Sequence, residues 1–230
     1  MHLSVIIPTL NRQETAVLLA ERICGLFHTL DVEVIVVTPA GSQPTTSDAK
    51  VRFVEDAGHG VYAAYNAGLH CASGDYVWFV GDDDYPLDAA ADLAPSLQHD
   101  GADILVAPVL FSSGQIYRPT KSLLVLLYFN WCQQGVVYRR QTLLRRRFFR
   151  RMTVQADQYV NVLLFADKAV RVRFLKRPVC VFGVNGLSGR MQDAAYDALR
   201  TVLAYRALGC AGFLAYRVLE SFRQLARRTR

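Results

Sequence analysis

Short apolar runs alternate with segments of helical spacing through the first 80 residues. LSVIIPTL (3–10) is a β-branched run with a proline near its end, the pattern of a strand buried on both faces. Ala16, Leu19, Ala20, Ile23, Leu26 and Phe27 then recur at helical intervals, predicting a helix from Asn11 to Leu30 with Asn11 as its cap. VEVIVV (32–37), VRFVE (51–55) and DYVWFV (75–80) read as further strands. GVYAAYNAGLHCA (60–72) reads as a helix stopped by Ser73 and Gly74. Such alternation implies a mostly parallel α/β sheet.

Beyond residue 100 the pattern is looser. ADILVAPVLF (102–111) predicts one strand, with a turn and a return strand after it. Residues 121–151 read as helical and irregular, 155–169 as a helix and 170–184 as extended chain. From Tyr205 to Arg228 a helical wheel gathers Leu208, Leu214, Val218, Leu219 and Phe222 on one arc and Arg206, Arg217, Arg227 and Arg228 opposite.

Two loops fall just past strand ends, where open α/β sheets bind ligands. One is Pro8-Thr9-Leu10-Asn11; the other is Gly81 with three aspartates, Asp82, Asp83 and Asp84. Adjacent carboxylates repel one another unless a cation shares them. A hard divalent ion, Mn²⁺ or Mg²⁺, suits oxygen ligands and needs only one or two of them when a phosphate completes its shell. The simpler reading is an acidic turn before a helix.

SVIIPTLNR, GSQPTTSD, GVYAAYNAGLHCASGDYVWFVGDDD and FGVNGLSG, in this order, resemble a family-2 glycosyltransferase of the GT-A fold over about residues 3–190. The likeness is greatest to small bacterial enzymes of exopolysaccharide and lipopolysaccharide synthesis. It implies an inverting, metal-dependent transfer from a nucleotide-diphosphate sugar to a glycan or lipid-linked acceptor. Asp82 and Asp84 fill a D-x-D pattern, and Asp83 with Asp84 fills the alternative frame, so Asp84 belongs to both metal sets. The resemblance further implies donor contacts from Pro8, Thr9, Asn11, Arg12, Tyr62, Asn66, Asp82 and Asp83, an acceptor-side role for Gln133, and Asp157 as catalytic base. Gly186, Leu187 and Ser188 match a late loop of the family. The chain departs from the pattern at Thr38, where an aspartate usually contacts the base of a UDP-sugar, at Ala63, and at Cys132, where a histidine is common.

Composition narrows the setting. The net charge is +6, with seven arginines and no acid in 139–151, and seven arginines against one glutamate from residue 198 onward. Such segments suit a solvated surface, an anionic membrane or an anionic acceptor. No RNP-type aromatic motif accompanies them, so no nucleic-acid partner is expected. The five scattered cysteines form no CxxC pair, which fits reduced thiols in the cytoplasm. No apolar run approaches the roughly 20 residues of a membrane span, and nothing at the start reads as a signal peptide. The expected organisation is a catalytic domain over 1–190, divided near 100 into donor and acceptor halves, followed by an amphipathic helical extension over 191–230. That helix would dock on the domain, on a partner or on the inner face of the membrane. A nucleotidyltransferase would place a Gly-rich loop after the first strand, and PTLNRQET has none. A non-catalytic basic module would leave the aspartates without a purpose.

Overall fold

The structure is a computed structural model describing residues 1–42, 44–46, 48–56, 58–99, 101–148, 150–183 and 193–228. Its elements in chain order are β1 His2–Pro8, α1 Gln13–Leu26, β2 Asp31–Pro39, β3 Val51–Asp56, α2 Val61–Cys71, β4 Tyr76–Phe79, β5 Tyr85–Pro86, α3 Leu93–His99, β6 Ile104–Val106, β7 Val109–Phe111, β8 Ile116–Tyr117, α4 Leu123–Leu126, β9 Val136–Arg139, α5 Arg140–Leu144, α6 Ala156–Ala166, β10 Val172–Phe174, β11 Cys180–Phe182 and α7 Ala194–Arg228.

A seven-stranded sheet in the order β10-β6-β9-β4-β1-β2-β3 forms the centre. All its pairings are parallel except those of β9, which runs antiparallel between β4 and β6. Alternate residues of each strand feed different cores, as a period of two requires. Ile6, Val77 and Phe79 pack with α2, α6 and α7, whereas Val5, Ile7, Trp78 and Val80 pack with α1 and α3. Within the first core the Phe79 ring meets Tyr65, Tyr138 and Phe148 at centroid distances of 4.6, 6.2 and 5.2 Å.

A second sheet, β5-β11-β7-β8, stands beside the first. Here the single strand expected over 102–111 divides. Ile104–Val106 stays in the large sheet and Val109–Phe111 crosses to the small one, with Ala107-Pro108 at the corner. Pro108 has no N–H to donate, so the ladder breaks there. Residues 170–184 divide in the same way at Lys176-Arg177-Pro178, giving β10 and β11. β9 lies within a stretch expected to be helical and irregular; its Val136, Val137 and Tyr138 are fully buried in the middle of the sheet.

The first helix begins two residues later than expected. Asn11 does not cap it: Arg12 occupies that position and makes no side-chain cap hydrogen bond. The C-terminal helix differs more. It starts at Ala194 and breaks at Gly209, whose φ of 65° and ψ of −175° suit only glycine. The two arms fold back antiparallel, with Arg200 3.5 Å from Glu220 and the Tyr205 and Phe213 rings 5.4 Å apart. Tyr196, Leu203, Ala204 and Tyr216 enter the same core as the sheet, so this hairpin is continuous with the domain. The apolar arc is divided: Leu208 packs against the core, whereas Leu214, Val218 and Phe222 are all more than half exposed. Within 194–223 one 18-residue window reaches a mean hydropathy of 1.3, by length and composition alone, and the break at Gly209 interrupts that stretch.

Candidate functional site

A cavity of about 900 Å³ opens where β1, β2 and β4 end and the second sheet begins. Its lining includes Pro8, Thr9, Asn11, Arg12, Thr38, Asp82 and Asp83 from the strand ends and the loops after them, together with Tyr62, Gln133 and Asp157.

The three aspartates take different directions. Asp82 receives the Thr9 hydroxyl at 2.7 Å on one oxygen and the Arg12 guanidinium at 2.8 Å on the other. Arg12 also stands 3.8 Å from Asp83. Burial raises the Asp82 carboxyl above the usual range, while Thr9 and Arg12 oppose the shift. Asp83 faces the cavity and its backbone lies under Gly183, where an added Cβ would come within 2.8 Å of the Asp83 carbonyl oxygen. Asp84, expected as a metal ligand in both frames, lies differently from its two neighbours. Its side chain is turned away from the cavity and buried, accepting the Gly81 amide at 2.7 Å and the Gly183 amide at 3.3 Å. Burial and the neighbouring Asp83 push its carboxyl up to about 7. In this position Asp84 braces the loop against β11, and Asp82 and Asp83 are the carboxylates on the wall.

Asn66, expected at the donor, is engaged elsewhere. Its amide nitrogen donates to the Phe148 carbonyl at 2.9 Å and its oxygen accepts the Phe148 amide at 3.0 Å. Both ends are committed to the backbone of the arginine-rich segment, and Asn66 does not line the cavity.

Asp157, in the first turn of α6, is 7% exposed and lies on the cavity wall. The Tyr62 hydroxyl donates to its Oδ1 at 2.6 Å, and the Asn130 amide donates to its Oδ2, also at 2.6 Å. Behind Asn130 the bonds continue: Asn161 Nδ2 donates to Asn130 Oδ1 at 3.0 Å, and the Tyr138 hydroxyl donates to Asn161 Oδ1 at 2.7 Å. This directional chain fixes which end of the Asn130 amide meets the carboxylate. Burial lifts the Asp157 carboxyl above the ordinary aspartate range, and the Tyr62 hydroxyl, the Gln158 amide and Asn130 pull it partly back. Tyr62, expected at the donor, thus lines the cavity with its hydroxyl engaged by Asp157. Asn130, Asn161 and Tyr138 had no signal in the sequence beyond a lone amide between aromatics in YFNWC.

Gln133 is buried on this wall, and its Nε2 has no partner among the described residues. The Thr38 hydroxyl, also buried and on the wall, lacks one too. Gly186, Leu187 and Ser188 lie outside the described residues. Among the described residues no group of three or more His, Cys, Asp or Glu side chains forms a metal cage. Asp82 and Asp83 still suit a cation completed by phosphate oxygens, because the Arg12 guanidinium already occupies the position of a positive charge between them.

Comparison with known proteins bears on the fold and the family. Two mycobacterial proteins, the PGL/p-HBAD biosynthesis glycosyltransferases of Mycobacterium bovis and Mycobacterium tuberculosis, are each 29% identical over 216 residues, covering 84% of this chain and 81% of theirs. Among solved structures, Staphylococcus aureus TarS 1–349 in complex with UDP superposes with a TM-score of 0.68 at 20% identity, over 90% of this chain and 66% of that one. The mannosyltransferase PcManGT from Pyrobaculum calidifontis, with GDP-Man and Mn²⁺, gives 0.58 at 18% identity, over 94% of this chain and 64% of that one. The chain therefore spans about two thirds of each of these structures, and the shared layout is the GT-A fold. Residues 4–161 match the profile of glycosyl transferase family 2, and the chain belongs to that family of glycosyltransferases.

Proposed function

We propose that the protein transfers a sugar from a nucleotide-diphosphate donor, a UDP-sugar first, to a hydroxyl of a glycan or lipid-linked acceptor, with inversion at the anomeric carbon. The observation that carries this is Asp157: a buried carboxylate of raised proton affinity, held by two short hydrogen bonds, lining the same cavity as Asp82 and Asp83. The acceptor hydroxyl gives its proton to Asp157 while its oxygen bonds to the anomeric carbon. The bond from that carbon to the diphosphate oxygen breaks, and the nucleoside diphosphate leaves with the electron pair. Pro8, Thr9, Asn11 and Arg12 border the nucleotide, with Arg12 available to the diphosphate. Asp82 and Asp83 would hold Mn²⁺ or Mg²⁺, which supplies positive charge to the leaving group. TarS and PcManGT, crystallised with UDP and with GDP-Man and Mn²⁺, favour this reading. Membership of the glycosyltransferase family sets aside the nucleotidyltransferase and the non-catalytic module.

Calorimetry with UDP and GDP, with and without Mn²⁺, tests the donor side. Metal-dependent binding of one nucleotide that is lost in Asp83→Ala is expected; binding of neither sinks the reading. Loss of transfer in Asp157→Asn with nucleotide binding intact is the matching expectation for the base.

The same reading places the protein in the cytoplasm, peripheral on an anionic bilayer. Leu214, Val218 and Phe222 form an exposed row at four-residue intervals. The two acids of the hairpin, Asp197 and Glu220, are both paired with Arg200, which leaves only arginines to set the charge beside that row. Like charge disfavours a second copy of the chain there. Co-sedimentation with phosphatidylglycerol vesicles, lost in Leu214→Glu/Phe222→Glu, is expected. A dimer in solution and no vesicle binding would reverse the assignment.

A further inference from the structure

The acceptor side of the cavity carries a set of aromatic rings that the transfer reaction alone does not require. Phe111 stacks on Tyr117 with centroids 5.8 Å apart and planes 29° apart, and Phe182 lies against Phe111 at 5.8 Å. All three line the cavity, as does Phe129, which is 65% exposed. The rings are tied to Asp157 by short links. The Tyr117 hydroxyl donates to the Asn130 carbonyl, and the Asn130 side chain donates to Asp157. A molecule with one hydroxyl at Asp157 therefore has these rings as its next surface.

The polar side chains on this wall are largely engaged with one another. Gln155 Nε2 donates to Gln158 Oε1 at 2.8 Å, and Gln155 Oε1 accepts the Asp193 amide at 2.8 Å. Gln158 Nε2 donates to the Leu126 carbonyl at 2.8 Å. Both ends of the Asn130 amide are used, and the Tyr128 hydroxyl is held by Glu220 at 2.7 Å. The buried donor left over is Gln133 Nε2. An oligosaccharide chain seated here would lose water from many hydroxyls and regain few partners, at a cost for each one left unpaired. A flat or chain-like apolar body loses nothing of that kind and gains contact with the rings.

We infer that the acceptor is a glycoside or alcohol with an apolar aglycone: its reacting hydroxyl sits between Asp157 and Gln133, and its aryl or alkyl portion lies on Phe111, Tyr117, Phe129 and Phe182. This rests on Asp157 being the base of a glycosyl transfer. The wall has one polar end and one apolar length, and the acceptor matches it in that order.

The test is binding of methyl, phenyl and octyl glycosides of the same sugars, octyl below its micellar concentration, measured by saturation-transfer NMR with and without UDP. Phenyl or octyl glycosides bind about tenfold more tightly than methyl, a step worth about 1.4 kcal/mol, and Phe129→Ala abolishes the difference. Preference for phenyl over octyl marks an aromatic aglycone; the reverse marks a lipid chain. Equal binding of methyl glycosides or free oligosaccharides, no saturable binding by any glycoside, or an unchanged ratio in Phe129→Ala overturns the inference. Calorimetry of UDP in the same samples separates the two levels. UDP binding without aglycone preference removes this inference and leaves the transferase reading intact, whereas loss of UDP binding strikes the donor site itself.

Discussion

Tyr62→Phe removes one oxygen atom from the site and changes little else. The phenol donates to Asp157 Oδ1 at 2.6 Å, and the ring is fixed independently by Tyr65 and Phe148, with centroids 6.0 and 5.7 Å away. Phenylalanine keeps that packing, so the variant folds with an Asp157 that has lost one of its two short donors. A hydrogen bond to a charged group contributes about 1.5–3 kcal/mol. Since it stabilises the ionised carboxylate, its loss raises the proton affinity of a group that burial has already raised. A base must be ionised to work, so activity is present above its titration and falls as pH drops through it. The acid limb of kcat/KM therefore moves upward by about one to two pH units. Activity well above the limb changes much less than activity on it. The groups facing Asp157 from neighbouring elements include Tyr65, Cys132, Tyr138 and Tyr196, all weak acids whose own ionisation burial disfavours; Asp84, pushed up to about 7, is common to wild type and variant, so the shift between the two profiles reports Asp157. The assay is the pH profile of kcat/KM for wild type and variant, using a nucleotide-release readout. A uniform fall at every pH with an unmoved limb would refute the argument, because it would assign the Tyr62 hydroxyl to the substrate instead of to the base.

Other perturbations separate the remaining assignments. Asn66→Ala breaks the two-point clamp on Phe148 and lowers stability by about 1–3 kcal/mol in urea unfolding, with UDP affinity unchanged; weaker UDP binding would return Asn66 to the donor site. Thr38→Val removes a buried hydroxyl that has no partner, so the melting temperature rises by a degree or more while UDP binding weakens; a fall in stability would mean the hydroxyl is satisfied in the folded chain. Asn161→Leu leaves Asn130 without the donor that orients it, and its acid limb moves in the same direction as that of Tyr62→Phe but by less; an unmoved limb would show that Asn130 keeps its orientation unaided.

Much of the first half of the chain was legible because its information is local. Strands β1, β2 and β4 are apolar runs of four or more residues, and the loops after β1 and β4 follow from where those runs stop. The direction of each aspartate was not legible. Asp82, Asp83 and Asp84 are chemically identical neighbours, and only the turn closed by the Asp84 amide on the Gly81 carbonyl sends one inward and two outward. β9 was hidden for another reason: four residues are too few to show a period, and they run from just after a tight glycine to the first of two arginines. Asp157 could be singled out, but its partners stand 27 and 95 residues away in sequence, and no window along the chain contains them together.

Gly209 carries a consequence of a topological kind. As one continuous rod, the 30 residues from Ala194 to Arg223 would rise about 45 Å, more than the roughly 30 Å of a bilayer's hydrocarbon. Turned back at Gly209, residues 194–208 rise only about 22 Å, and the chain returns to the side from which it set out. The turn uses a backbone conformation that an L-amino acid with a side chain avoids. A single achiral carbon thus decides whether this segment is geometrically a rod able to pierce a membrane or a strap that can only lie along one.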